Sequence, residues 1–249
     1  MILGLTAGAA RAAAEQSREV GSIAVDVGHT LEAPGAMSAR GRTEFEFNRQ
    51  LAHQLVAALR TRGFRVQTIN ADGRIESLKA RPHAATGAAF LMSIHHDSVN
   101  AHELRPWTWN DQVLDYNDEF AGHSLFVSRD NPDTARSILC ARTIGARLQR
   151  LGFEPTHKNG RRRAYADREH AVHYYDGLAV LRHARMPAVL FEAGVIKEPF
   201  TVGPETTIAE VLKLTRARNI SGVPVVDGGQ LVGIVTSRDM RFEKKLDDP

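Results

Sequence analysis

From Ser22 onward, short apolar or β-branched runs alternate with longer amphipathic ones, and this alternation limits the chain to an α/β fold. SIAVDV (22–27), FRVQTI (64–69), AFLMSI (89–94), HSLFVS (123–128) and PAVLFEAG (187–194) read as strands. Between them, Phe47, Leu51, Leu55 and Leu59 recur every fourth residue from Glu44, which predicts a helix with that stripe on the sheet. A second helix is expected from Asn131, where Asn-Pro supplies a cap and a first-turn proline, to Gly152. The polar stretch 98–122, with Trp107 and Trp109, reads as a long loop over one end of the sheet. After Pro199 the pattern changes to strand, helix, strand, a turn at Asp227-Gly228-Gly229, strand and a helix start, so a boundary is placed at 198–200.

Charge and cysteine content exclude several classes. Net charge is only +3, and the one dense basic run, Lys158 with Arg161, Arg162 and Arg163, lacks the interleaved aromatics of a base-stacking surface, so nucleic acid is not an expected partner. That run reads as a solvated loop, with contact to an anionic polymer as the alternative. Cys140 alone permits neither an internal disulfide nor a cysteine metal site, and its place among Ile144, Leu148 and Leu151 reads as a buried helix position. Nowhere does an apolar run reach the ~18 residues of a membrane span. The opening MILGLTAGAARAAAE resembles the end of a secretory signal without its basic start; an alanine-rich helix or tail fits equally well.

VDVGHT sets His29 just past the first strand, where a core would prefer an apolar side chain. A strand-end histidine satisfied by a neighbour is the simplest explanation. Other features change its weight: Glu44 opens the first helix, His95 and His96 follow the third strand, and Glu192 ends the last strand. In open α/β sheets the carboxyl ends of strands converge on the ligand crevice. Two imidazoles and a carboxylate are a set that holds a catalytic zinc while leaving a coordination position open. In an extended chain His95 and His96 face opposite ways, so only one joins the site, and Asp97 would share the face of His95 and orient it or bind a substrate amide. Arg182 could pair with a peptide carboxylate or form a structural ion pair; His170, His173 and His183 read as surface residues.

The ordered segments VDVGHT, GRTEFEFN, FLMSIHHDS and GLAVLRHARMPAVLFEAGVI resemble the successive motifs of the zinc-dependent N-acetylmuramoyl-L-alanine amidases, over roughly residues 22 to 197. The resemblance implies a mixed, mostly parallel sheet flanked by helices, of the phosphorylase/hydrolase-like kind. It also implies a Zn2+ cofactor held by His29, Glu44 and His95, with Glu192 as the catalytic glutamate. Glu44 is preferred to Glu46 because the family places its ligand glutamate four residues before an asparagine, here Asn48. His96 and Asp97 stand where the family commonly has a small residue and an asparagine. The implied reaction is hydrolysis of the amide between N-acetylmuramic acid and the first L-alanine of the peptidoglycan stem, in a periplasmic or secreted setting. An amide is a slow electrophile, and a zinc ion can both polarise its carbonyl and strengthen the attacking nucleophile.

The tail resembles a single CBS motif of the type inserted in inosine monophosphate dehydrogenases. The family pairs such motifs into modules that can bind adenine nucleotides, the aspartate of T-x-R-D contacting ribose; here that element is Thr236, Ser237, Arg238 and Asp239. One motif is half a module, a small α+β unit that would need a second copy, so a homodimer is expected if the tail is functional; a fusion remnant that binds nothing is the alternative. The expected organisation is therefore a signal remnant or tail at 1–21, a zinc amidase domain at 22–198 and a CBS-like motif at 199–249. A closing helix usual in the family is replaced by the tail, which would expose apolar sheet surface unless the helix starting near Thr207 covers it. The competing functional reading is a nucleotide-responsive regulatory protein with an idle amidase-like domain. A facial-triad iron oxygenase uses the same ligand types but on all-β sheets. No phosphate-binding P-loop, dinucleotide fingerprint or G-x-S-x-G elbow is present.

Overall fold

A computed structural model of the chain describes residues 21–109, 112–117, 119–197, 202–218, 222–227, 230–236 and 238–241. The signal-like segment through residue 20, the boundary at 198–200, Ser237 and the turn glycines Gly228 and Gly229 lie outside the described residues. In chain order the elements are β1 (Ser22–Val27), α1 (Glu44–Thr61), β2 (Arg65–Ile69), α2 (Ala80–Ala84), β3 (Phe90–Asp97), β4 (Arg105–Trp109), β5 (Gln112–Tyr116) and β6 (Ser124–Val127). They continue with α3 (Thr134–Arg150), β7 (Tyr165–Asp167), β8 (Val172–Tyr174), α4 (Ala179–Arg182), β9 (Ala188–Val195), α5 (Ile208–Arg218), β10 (Gly222–Asp227) and β11 (Gln230–Thr236).

Seven strands form one mixed sheet in the order β2-β1-β3-β9-β6-β8-β7. The four strands from β2 to β9 run parallel, β6 is antiparallel to β9, and β7 is antiparallel to β8. Alternation along β1 sends Val25 and Val27 to the α1 face with Phe45, Ala52 and Val56, while Ala24 joins Leu91, Leu181 and Leu190 on the face of α2 and α4. The α3 face is closed by Leu125, Val127, Ala141, Val172 and Val189. The fold class expected from the alternation and the motifs is therefore the one observed. No large exposed hydrophobic side chain among the described residues lies on the seven-stranded sheet, so its faces are covered without the helix near Thr207. That helix, α5, packs instead in the tail's own cluster of Val202, Val211, Val223 and Met240.

Several local expectations are corrected. The most buried residues of α1 are Glu44, Phe45, Asn48, Ala52 and Val56, with Leu51, Leu55 and Leu59 packed beside them against the same cluster, and Thr43 caps the helix in a reciprocal capping box with Glu46. The cap of α3 is Asp133, whose carboxylate accepts from Arg136 N. Asn131 is buried and donates to the carbonyls of Leu181, Ala184 and Met186, tying the α3 start to the loop before β9. The expected loop at 98–122 contains the antiparallel hairpin β4–β5, anchored by the Trp107 indole donating to Ala39 O at 2.7 Å. The two strands, RPWTW and QVLDY, are short and polar, and Pro106 interrupts the first, so they give no clear strand signal.

His173 is not a surface residue. It is 0% exposed in β8, stacked against Phe126 and Tyr165, and neither ring nitrogen has a hydrogen-bond partner. His123 is buried in the same unpartnered way. Burial pushes both imidazoles down to about 4. A folded-state pKa below the unfolded value of about 6.5 means that the unfolded chain takes up protons first as pH falls. Stability that is fully present above about pH 6.5 is therefore lost progressively toward pH 4, by about 3 kcal/mol for each such histidine. Thermal melts between pH 7 and 4.5 are expected to show this decline and a shallower one in His173→Phe; equal slopes would contradict it.

Candidate metal centre

Three side chains meet at the carboxyl end of β1 and β3. His29 Nε2 lies 2.9 Å and His95 Nδ1 3.0 Å from the same oxygen, Glu44 Oε1. One ligand atom from each of the three residues lies within 4.8 Å of the other two, the compactness a single cation requires. The imidazoles meet edge to face at 5.0 Å. Glycines make the space: a Cβ on Gly28 would collide with the His95 ring, and one on Gly35 with Glu44 and His29. Burial alone would raise the Glu44 carboxyl, but the hydrogen bonds and charge of His29 and His95 outweigh it and hold Glu44 well below the usual carboxylate range. An ionised carboxylate with two converging imidazoles is a donor set that fits zinc.

The backbone at His29 is unusual. Its φ of 67° is left-handed, a conformation that costs a non-glycine residue roughly 1–2 kcal/mol. Two buried side chains hold it there. Asn70 Nδ2 donates to the carbonyls of Val27 (2.7 Å) and His29 (2.6 Å), and Arg81 sends Nη1 to Val27 O (2.9 Å) and Nη2 to His29 O (2.6 Å). Arg81 also lies 3.7 Å from Asp26 Oδ1, while Ser93 donates to Asp26 Oδ2 at 2.6 Å. Glu44 is set by the start of α1 and by Asn48, which is fully buried and donates to Glu44 Oε1 and Gly28 O. Asn70 and Arg81 were not visible as site residues in the sequence, because nothing in their local text distinguishes a buried clamp from a solvated polar residue; Asn48 served there only to mark the glutamate.

His95 and His96 do not divide cleanly between faces. The register of β3 against β9 shifts between His95 and Asp97, and this bulge breaks the alternation. His96 Nδ1 reaches Asn48 Oδ1 at 2.8 Å, and burial pushes the ring down to about 4. Asp97 does not orient His95; it pairs with Lys158 (2.8 Å) and accepts from Asn159 (2.9 Å). The basic run is accordingly anchored at its base rather than wholly solvated. Arg182 has no ion pair among the described residues; its Nε donates to His183 Nε2 at 3.2 Å.

Glu192 sits directly opposite His95 in the β3–β9 register and opposite Ser124 in the β6–β9 register. Its Oε2 is shielded from solvent without a hydrogen-bond partner. Burial, reinforced by the negative charges of Asp97 and Glu44, raises its carboxyl well above the usual range.

The family model of the N-acetylmuramoyl-L-alanine amidases matches residues 23–201. The chain belongs to this amidase family. A CBS domain model matches residues 193–244. Among solved structures, an N-acetylmuramoyl-L-alanine amidase from Clostridium difficile 630 superposes with a TM-score of 0.53 at 22% identity, over 72% of this chain and 82% of that one. The amidase of Mycobacterium smegmatis gives 0.56 at 18% identity, over 72% and 84%. At these identities the likeness concerns the fold. The CBS region is similar to inosine-5'-monophosphate dehydrogenase of Haemophilus influenzae, 47% identical over 57 residues, which is 22% of this chain and only 12% of that protein's length. The chain thus joins an amidase-family region to a CBS motif, and the three candidate ligands lie within the amidase match.

In the tail, Thr236 N and Oγ1 both donate to Asp239 Oδ2, at 2.8 and 2.7 Å, so the T-x-R-D element closes a local cap. The same threonine lies against Gly152 just past α3.

Proposed function

We propose that the chain is a zinc-dependent hydrolase of the amide joining N-acetylmuramic acid to L-alanine, with His29, Glu44 and His95 as metal ligands and Glu192 as the proton-transfer residue. The convergence of two imidazoles on one ionised carboxylate oxygen carries this reading. A bound zinc ion would supply polarisation of the amide carbonyl and activation of the attacking water. Asn48, Asn70 and Arg81 hold the ligands in place. Glu192, with one oxygen unpaired and its proton affinity raised by burial and by Asp97 and Glu44, is suited to accept a proton from the attacking water and return it to the leaving amine. Such a substrate fits a periplasmic or secreted setting.

Removing Glu44 takes away the common partner of both histidines. Glu44→Ala is expected to reduce bound zinc from about one ion per chain to well below one after dialysis, measured by elemental analysis, and to abolish turnover. Undiminished zinc content would contradict the ligand assignment.

For the tail, pairing with a second copy is supported by Val232 and Ile234, two residues apart on β11 and exposed by 58% and 43%. A paired module could take an adenine nucleotide through Asp239, whose Oδ2 is engaged by Thr236.

A further inference from the structure

A cleft of about 160 Å³ has strongly basic walls: Lys158, Arg161, Arg162 and Arg163 face it, against one acid, Glu103. Its position is fixed by its floor. Lys158 is held by Asp97 and donates to the Ser98 carbonyl, and Asn159 donates to Asp97 and to Ser124 Oγ. Asp97 ends the strand of His95, and Ser124 is the register partner of Glu192. The cleft floor is therefore tied to the end of the strand that carries His95 and to the register partner of Glu192, and the charges of Lys158 and Arg163 are felt at the Glu192 carboxyl, which they pull downward.

The outer guanidiniums are uncommitted compared with the inner ammonium. Arg161 has two long ion-pair contacts, 3.9 Å each, to Glu103 and Glu119, and lies over the Phe120 ring at 5.3 Å, with its side chain 66% exposed. Arg162 is exposed and has no ion pair among the described residues. Arg163 lies over the Tyr175 ring at 3.7 Å, and its Nε is buried without a hydrogen-bond partner. Clustered, partly desolvated guanidiniums with spare donors repel one another and bind planar carboxylates in bidentate fashion.

We propose that this cleft is a carboxylate subsite: Arg161 and Arg162 hold a free carboxylate of the stem peptide that follows the scissile amide, and so set a preference for acidic over amidated stems. The inference rests on the amidase reading for its ligand. A stem peptide bearing γ-linked D-glutamate has a free α-carboxylate one residue beyond L-alanine, and amidation to D-isoglutamine removes that charge while keeping the shape.

The test is calorimetric titration of the full chain with the peptide L-Ala-γ-D-Glu-L-Lys and with its D-isoglutaminyl counterpart. The acidic peptide is expected to bind about tenfold more tightly. In the Arg161→Gln/Arg162→Gln double variant the two affinities should come within about twofold of each other, whereas Arg150→Gln, on the exposed end of α3, should keep the wild-type difference. Equal affinities in the wild type, survival of the difference in the double variant, or no binding of either peptide would overturn the subsite. The two failures are separable by mass spectrometry of muropeptides of both kinds: cleavage of both at equal rates sinks the subsite and leaves the amidase reading, while selective binding without cleavage does the reverse.

Discussion

Glu192→Gln is expected to slow amide hydrolysis by about 10²- to 10⁴-fold with zinc content unchanged, and to raise the thermal stability of the zinc-free chain. The two effects have one physical origin. In the folded chain the Glu192 carboxylate lies between Asp97 and Glu44 in charge, with Oε2 out of water and unpaired. Holding a negative charge there costs folding energy, and the same cost raises the affinity for a proton that the reaction needs. Glutamine keeps the volume, removes the repulsion and cannot accept the proton. Rates from product release, and melting curves on the same preparations stripped of zinc, check this. Turnover within a few-fold of wild type would remove Glu192 from the chemistry; a lowered Tm would show that its charge is stabilising after all.

Arg81→Ala is expected to cost about 3–5 kcal/mol of stability, the range for removing one partner of a buried ion pair. Arg81 is 2% exposed, and its guanidinium serves Val27 O, His29 O and Ile75 O as well as lying beside Asp26, itself 0% exposed. Without it, burial drives the Asp26 carboxyl further up, and only Asn70 keeps the left-handed turn at His29. Zinc affinity should therefore fall together with stability, and Arg81→Lys should rescue little, because an ammonium cannot reach two carbonyls at once. Urea midpoints and zinc competition titrations measure the two losses. A midpoint shift equivalent to less than about 1 kcal/mol would show that Asp26 and Ser93 do not depend on the arginine.

What the chain displayed in its sequence was the part governed by period and order. The five apolar runs became sheet strands because strand burial depends on local pattern, and the four ordered motifs placed His29, Glu44, His95 and Glu192 at neighbouring strand and helix ends. What stayed hidden depends on contacts between distant segments. Arg81 is 52 residues from the carbonyl it holds, and nothing around it signals burial. The bulge that carries both His95 and His96 toward α1 depends on pairing with β9, not on the SIHHDS text itself. His173 looked polar and therefore exposed, yet two aromatic rings enclose it. The Lys158–Arg163 run looked like a solvated loop because its anchor, Asp97, lies 61 residues earlier.

Zinc-dependent cleavage at the lactyl–L-alanine amide is tested most directly by mass spectrometry of purified peptidoglycan fragments after incubation with the zinc-loaded full chain, with a chelated sample alongside. The expected result is release of free stem peptides beginning with L-alanine, lost on chelation and restored by added zinc. Intact fragments in both samples, or equal release in both, would contradict it.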